Sequence, residues 1–213
     1  EPDVEAQAKG PVTNPIEMAL PDANAAETVL RSIPGYQPLF AAAFPGNPHP
    51  VTFDNMALAI GAFERELITP GPFDAFMRGQ TDALDAQAQR GLATFVETGC
   101  VTCHMGPAVG GSMFQKLGLV ESFATDDQGR YDLTGVEVDR FVFKVPSLRN
   151  IAETGPYFHD GSIVSLDEVI RLMARHQLGK NLDDGQVQSI RAFLNSLTGE
   201  IDAAFVAKPD LPE

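Results

Sequence analysis

The sequence has no tryptophan and only two cysteines among its 213 residues, and its 15 basic residues are outnumbered by 29 acidic ones. Two cysteines cannot build a disulfide-rich scaffold. The net charge of −14 excludes nucleic acid as a main partner, because affinity for phosphates is built from Lys and Arg. No apolar run reaches the length of about 18 residues that a membrane span needs. The hydrophobic fraction of 44% indicates a folded chain of one large or two small domains.

Proline and glycine divide the chain into segments in which apolar residues recur with a helical period. The segment 53–68 is predicted to be an amphipathic helix, because Thr52 supplies an N-cap and Pro70 ends the apolar pattern. The same signals predict five further helices: one from Thr81 to near Gly99, one behind a capping box of Ser165 and Glu168, one over 187–197 closed by Gly199, and two weaker ones at 25–31 and 37–44. Only 140–145 has the composition of a strand. The sequence therefore predicts a mainly α fold.

The segment 105–160 contains many glycines and little periodicity. A loop of this length is unusual in a compact domain unless a non-protein group supplies the surface on which it packs. The glycine-containing stretch 79–81 is the natural place to divide the chain. We therefore predict domains at residues 1–80 and 81–200, with 201–213 as a C-terminal extension.

Cys100, Cys103 and His104 form the pattern CxxCH, which is typical of covalent c-type haem attachment. Two intervening residues match the spacing of the vinyl groups on one edge of a haem, and His104 then follows as the proximal iron ligand. Two other interpretations compete with this one. A redox disulfide would need a βαβ context, and a zinc site would need two more ligands although no other cysteine exists. The pattern favours haem.

An iron bound by one histidine raises the question of its sixth ligand. Met105 adjoins His104 and cannot cross to the other face of the haem ring. Met113 is possible as a ligand, but few residues separate it from His104, so the chain would have little length to pass around the ring. Met173 lies far enough along the chain to approach from that face. A methionine on an apolar helix face is also an ordinary core residue, so both interpretations of Met173 stay open. A His/Met pair would give a fairly high-potential electron-transfer haem.

The remaining histidines carry weaker signals. His159 lies in the chemically dense segment 156–161. It is either bonded to Asp160 or to backbone, or it makes a polar contact near the haem edge. His49 and His176 are interpreted as surface or packing residues.

Short segments along the whole chain resemble, in order, those of the bacterial di-haem cytochrome c peroxidases and of the related di-haem enzyme that matures methylamine dehydrogenase. The segments are 10–18, 33–36, 52–55, 63–70, the CxxCH, 143–150, 156–161, and Met173 with 177–179. CxxCH alone would indicate only a cytochrome. The resemblance implies an enzyme that reduces hydrogen peroxide to water with electrons from a small redox protein, either a cytochrome c or a copper protein.

In this family an N-terminal haem domain cleaves peroxide, and a C-terminal domain holds a His/Met haem that feeds it electrons. The resemblance implies that His104 and Met173 are the iron ligands of the electron-transfer haem. Glu17 resembles the distal acid/base residue, with Gln7 and Pro11 as neighbours in its pocket. A carboxyl suits that role because it takes a proton from one peroxide oxygen and gives it to the other.

The resemblance also implies a calcium site, a location and an assembly. The backbone carbonyls of Thr154 and Pro156 resemble two ligands of an interdomain calcium, which prefers an oxygen-only shell. Lys144 stands where the family has a basic residue close to the haem. Covalent haem assembly implies the periplasm, and the family resemblance implies a homodimer.

The sequence departs from the family because the peroxidatic domain's own CxxCH, its removable distal histidine and a tryptophan between the haems are missing. We therefore expect a class I cytochrome c fold around one covalent haem c at 81–200. We expect the rear part of a second cytochrome c-like domain at 1–80, with the second haem in the missing part. The acidic surface would favour a basic donor. The alternative is a mono-haem electron-transfer cytochrome c without peroxidase activity, which would have no use for Glu17.

Overall fold

The computed structural model describes residues 1–213 and contains nine α-helices and two short strands, which confirms the predicted mainly α class. The chain forms two compact units. Unit 1 contains Glu1–Ile68 and Ile201–Glu213, and unit 2 contains Thr69–Glu200. The division thus falls at residue 68 rather than near 80, and residues 201–213 join unit 1 instead of standing apart. None of the helices combines the length and the apolar character that crossing a membrane requires.

Unit 1 is built from four helices. They are α1 (Val4–Thr13), α2 (Ala23–Arg31), α3 (Tyr36–Ala43) and α4 (Phe53–Glu66). The side chains of Asp3, Asp22 and Thr52 each accept a backbone N–H bond and so cap α1, α2 and α4. α1 packs against α4, and the two helices are joined by an ion pair between Glu5 and Arg65.

The C-terminal residues pack on this unit. The ring of Phe205 stacks on that of Phe63 with 5.1 Å between centroids. The N–H of Gly35 donates to the carbonyl oxygen of Glu213 at 2.8 Å. Residues 201–213 are therefore part of the packing of unit 1.

Unit 2 contains the remaining helices and both strands. They are α5 (Pro72–Met77), α6 (Ala86–Thr98), a 3₁₀ turn (Cys100–Thr102), β1 (Phe114–Lys116), α7 (Tyr131–Thr134), a second 3₁₀ turn (Glu137–Asp139), β2 (Val142–Lys144), α8 (Leu166–Leu178) and α9 (Asp184–Asn195). β1 pairs with β2 antiparallel, with Phe114 opposite Lys144. The strand predicted within 140–145 is confirmed.

The core of unit 2 lies where α6 packs against α9. A Cβ on Gly91 would lie 1.8 Å from the carbonyl oxygen of Ser189, so only glycine permits this close approach. The rings of Phe95 and Phe193 pack beside this point with 5.2 Å between centroids. α8 adds Ile170 to the same cluster.

The predicted start of α6 is wrong by several residues. The helix begins at Ala86 rather than at Thr81, because the carboxylate of Asp85 caps it through the N–H of Ala88 at 2.7 Å. The predicted end near Gly99 is confirmed, since Gly99 is the left-handed C-cap with φ of 103°.

The predicted end of α9 is also wrong. The helix stops at Asn195, and Gly199 has a different role. A Cβ on Gly199 would lie 2.2 Å from the carbonyl oxygen of Thr69, so this glycine permits a close contact between two chain segments. Periodicity did not predict α1, which contains Pro11, or the six-residue α5.

Candidate functional site

The CxxCH residues form one compact turn at the end of α6. The left-handed Gly99 ends the helix and turns the chain into the 3₁₀ turn that begins at Cys100. The N–H groups of Cys103 and His104 both donate to the carbonyl oxygen of Cys100, at 3.2 and 3.0 Å. Both thiols are free and half-buried. One short backbone segment therefore presents two thiols and an imidazole together.

The thiol chemistry disfavours the two competing interpretations of CxxC. Burial raises the pKa of the Cys100 thiol to about 11, so this thiol is protonated at neutral pH, unlike the thiolate of a redox cysteine. No group of three or more His, Cys, Asp or Glu side chains is arranged to hold a metal ion. The two thiols are left available for thioether bonds.

His104 has the protonation state that a metal ligand needs. Burial lowers the pKa of its imidazole, and the nearby carbonyls of Val109 and Pro146 oppose this effect without cancelling it. The ring is therefore neutral near pH 7, and neutral imidazole is the form that binds iron. Its Nδ1 is buried and forms no hydrogen bond of standard geometry. Free thiols and a neutral, half-buried imidazole on one turn fit a covalently attached haem.

A second chain segment holds the backbone behind His104. The N–H of Gly111 donates to the carbonyl of Val145 at 3.0 Å, and the N–H of Leu148 donates to the carbonyl of Val109 at 3.1 Å. The hydroxyl of Ser147 donates to the carbonyl of Ala108 at 2.6 Å. We call the paired segments 107–111 and 145–149 the clasp. Sequence reasoning noted 143–150 only as part of the resemblance and assigned Pro146, Ser147 and Arg149 no role.

Arg149 fastens the outer end of the clasp. Its Nε and Nη2 donate to the carbonyl of Pro107 at 2.9 and 2.7 Å. Its Nη1 and Nη2 also donate to the two carboxylate oxygens of Asp74 at 2.7 and 2.8 Å. Burial opposes ionisation of Asp74, but the bonds from Arg149 and from the N–H of Gly71 outweigh it and lower its pKa. The guanidinium therefore joins α5 to the segment that follows CxxCH.

Met173 lies on α8, where its side chain is half-buried. The hydroxyl of Ser165 caps α8 through the N–H of Glu168 at 3.4 Å, as predicted. The other end of the helix is held by an ion pair of Arg175 with Glu121. The assignment of Met173 as sixth ligand stays a prediction.

Glu17 and Gln7 belong to unit 1, whereas the CxxCH turn belongs to unit 2. Gln7 lies on α1, and both of these side chains are exposed. The turn after α1 folds back, because the N–H of Met18 donates to the carbonyl of Pro11 at 3.1 Å. The assignment of Glu17 as acid/base residue, with Gln7 and Pro11 as its neighbours, stays a prediction.

Thr154 and Pro156 are both exposed. Their backbone carbonyls are the predicted calcium ligands. The ring of His159, nearby, forms no hydrogen bond to Asp160 or to backbone, and a polar contact near the haem edge stays a prediction. Its ring stacks on Phe143 with 4.3 Å between centroids, and its Nε2 lies 3.2 Å from the hydroxyl oxygen of Thr125. The calcium assignment stays a prediction.

Comparison with known proteins identifies the relatives of this chain. The family model of the di-haem cytochrome c peroxidases matches residues 1–82. The chain is 43% identical over 205 residues to the cytochrome c551 peroxidase of Pseudomonas aeruginosa, covering 93% of this chain and 59% of that protein. It is 44% identical over 201 residues to the cytochrome c551 peroxidase of Nitrosomonas europaea, again covering 93% of this chain and 59% of that protein.

A solved structure adds agreement in three dimensions. The crystal structure of a MauG-like protein associated with microbial copper homeostasis aligns with a TM-score of 0.80 and 28% identity, covering 97% of this chain and 71% of that one. The helical fold and the CxxCH turn define a protein of the c-type haem class. The chain belongs to the di-haem cytochrome c peroxidase family, and it spans 59% of the length of the two cytochrome c551 peroxidases.

Proposed function

We propose that this chain carries the electron-transfer haem of a peroxidase that reduces hydrogen peroxide to water. The CxxCH turn supports this proposal most strongly, because free thiols and a neutral imidazole end one helix of a small helical unit. Residues 69–200 would then be a class I cytochrome c domain. Residues 1–68 would be the rear part of the peroxidatic domain, whose haem is bound elsewhere in the complete enzyme.

The residues of unit 2 would hold the haem and set its electron affinity. Cys100 and Cys103 would form the thioethers, His104 would be the proximal ligand, and Met173 would be the sixth ligand. When bound, the haem supplies one-electron redox chemistry. Burial keeps the His104 ring neutral, so that a nitrogen lone pair is available without loss of a proton at neutral pH.

Glu17 would move the proton in the peroxide reaction, with Gln7 as a pocket neighbour. Its carboxylate would take the proton from one peroxide oxygen and deliver it to the other as the O–O bond breaks. Two electrons from the donor and two further protons complete the conversion of hydrogen peroxide to two water molecules. Both side chains are exposed in unit 1, so further residues of the complete enzyme would enclose the pocket.

The donor would be a small cytochrome c or copper protein with a basic surface, since the chain carries a net charge of −14 and opposite charges accelerate encounter. Calcium at the carbonyls of Thr154 and Pro156, a periplasmic location and a homodimer complete the proposal, and they rest on the family membership.

The rival function is a plain electron carrier with one haem. The match of the peroxidase family model to residues 1–82 favours the peroxidase, because a carrier has no use for that region. The test is haem content and turnover of the complete enzyme. Two covalent haems per polypeptide and peroxide reduction with a reduced basic cytochrome c support the proposal. One haem and no peroxide turnover would instead support the carrier.

A further inference from the structure

We propose that Asn150 is a pin that holds the two ends of unit 2 together and keeps them from fraying. The chain enters this unit at Thr69 and leaves it at Glu200. We call residues 69–73 the entry segment and residues 196–199 the exit segment, and both belong to unit 2. The inference goes beyond the proposed function and does not depend on which residues bind iron.

The side chain of Asn150 bonds both segments at once. Its Nδ2 donates to Oγ1 of Thr69 at 3.0 Å, and its Oδ1 accepts from the N–H of Gly199 at 2.9 Å. Its backbone N–H also donates to the carbonyl oxygen of Leu197 at 3.1 Å. One residue, 81 positions from Thr69 and 49 from Gly199 along the chain, therefore joins the two segments.

The two segments lie in direct backbone contact, and glycine permits this at two points. A Cβ on Gly71 would lie 2.5 Å from the carbonyl oxygen of Thr198. A Cβ on Gly199 would lie 2.2 Å from the carbonyl oxygen of Thr69. Because each glycine faces backbone rather than a flexible side chain, the segments stay this close only while something holds them together.

The backbone of Asn150 shows that this residue is held in place. Its φ is +57°, in the left-handed region that costs free energy for every residue except glycine, and least for asparagine and aspartate. The surrounding contacts maintain such a conformation. An amide side chain has both a donor and an acceptor, so asparagine combines this backbone conformation with bonds to two partners.

The exit segment carries part of the core of unit 2. Leu197 is fully buried in the same cluster as Phe95 and Phe193, and Cys100 packs against that cluster. Fraying of the exit segment would withdraw Leu197 from the cluster. The pin therefore keeps intact the core on which the CxxCH turn rests.

The first test is hydrogen exchange in the complete enzyme, measured by mass spectrometry with fragmentation to single residues. The reporter is the N–H of Phe73, which donates to the carbonyl oxygen of Ser196 at 3.1 Å and so joins the segments without any atom of Asn150. Asn150→Gly removes both side-chain bonds and tolerates positive φ. Each bond changes the opening equilibrium about fivefold, so exchange at Phe73 should become about thirtyfold faster.

Two controls separate the pin from a general loss of stability. Asn47→Gly removes an amide whose Oδ1 accepts from the N–H of His49, two residues on, and should leave the exchange rate of Phe73 unchanged. In Asn150→Gly, the N–H of Val120, which bonds a carbonyl of α8, should keep its wild-type rate. A wild-type rate at Phe73 in Asn150→Gly would overturn the proposal, as would equal acceleration at Phe73 and Val120.

The second test serves if Asn150→Gly fails to fold. Thr69→Val removes the hydroxyl that accepts from Asn150, whereas Thr69→Ser keeps it. Exchange at Phe73 should become about fivefold faster in Thr69→Val and should stay at the wild-type rate in Thr69→Ser. Equal rates in the two variants would mean that the bond from Asn150 does not hold the segments together, and the proposal would be wrong.

Discussion

The close contact of α6 with α9 at Gly91 leads to a prediction about stability, in which two physical effects on the free energy of unfolding oppose each other. Gly91→Ala adds one methyl group inside a helix. Helix propensity alone favours alanine over glycine by about 1 kcal/mol. The added Cβ would nevertheless lie 1.8 Å from the Ser189 carbonyl oxygen and 2.9 Å from Cβ of Phe193.

The size of the effect follows from which atoms must move. The contact with Ser189 is about 1.6 Å short of the 3.4 Å at which such contacts become ordinary, and it involves backbone rather than a flexible side chain. The two helices must therefore separate, which also loosens the packing of Phe95 on Phe193. Overpacking of this kind costs about 3 kcal/mol. After the gain in propensity, we expect a net loss of about 2 kcal/mol in the free energy of unfolding.

The assay is urea unfolding followed by far-ultraviolet circular dichroism, since the chain has no tryptophan to report by fluorescence. Gly185→Ala is the matched control in α9, because its Cβ would meet only Oδ1 of Asp183, the N-cap of that helix, at 3.3 Å. The control should be as stable as the wild type or up to about 1 kcal/mol more stable. A Gly91→Ala protein at least as stable as the control would refute the steric argument.

Three further predictions concern the site. Asp74→Asn should destabilise the chain by about 1–2 kcal/mol at pH 7. Because the folded pKa of Asp74 is lowered, its contribution is present above the unfolded pKa and is lost as pH falls through the folded one; an unchanged acid dependence of unfolding in the variant would contradict this. Met173→Ala should lower the haem potential in a redox titration, whereas Met113→Ala should not, and equal potentials in both variants would place the sixth ligand elsewhere. Glu17→Gln should slow peroxide reduction by the complete enzyme about 10²–10⁴-fold with haem content unchanged, and normal turnover would remove Glu17 from the mechanism.

The sequence predicted the parts of the fold that local signals determine. Thr52 and Ser165 cap their helices as expected because a short hydroxyl side chain bonds an N–H only three residues away. Periodicity was less reliable at helix ends. α6 begins at Ala86, with Asp85 rather than Thr81 as its N-cap, since the apolar pattern does not fix the residue at which a helix starts.

The glycines show why some residues are misread without a structure. Gly199 was expected to end α9, but its lack of a side chain serves a contact with Thr69, far away in sequence. Gly91 and Gly71 gave no signal that separated them from other glycines. Their roles depend on backbone atoms of Ser189 and Thr198, which sequence spacing does not bring together.

By itself, the sequence predicted the chemistry of this protein: CxxCH indicates where a haem would attach, because the two thiols and the imidazole are neighbours along the chain. It also determined the mainly α class, since caps and periodicity act over three or four residues. Only the tertiary structure decided that Arg149 joins Asp74 to Pro107 and that the Pro146 carbonyl stands beside His104. Such contacts join residues tens of positions apart, and their partners are selected by packing of the whole unit rather than by any local pattern.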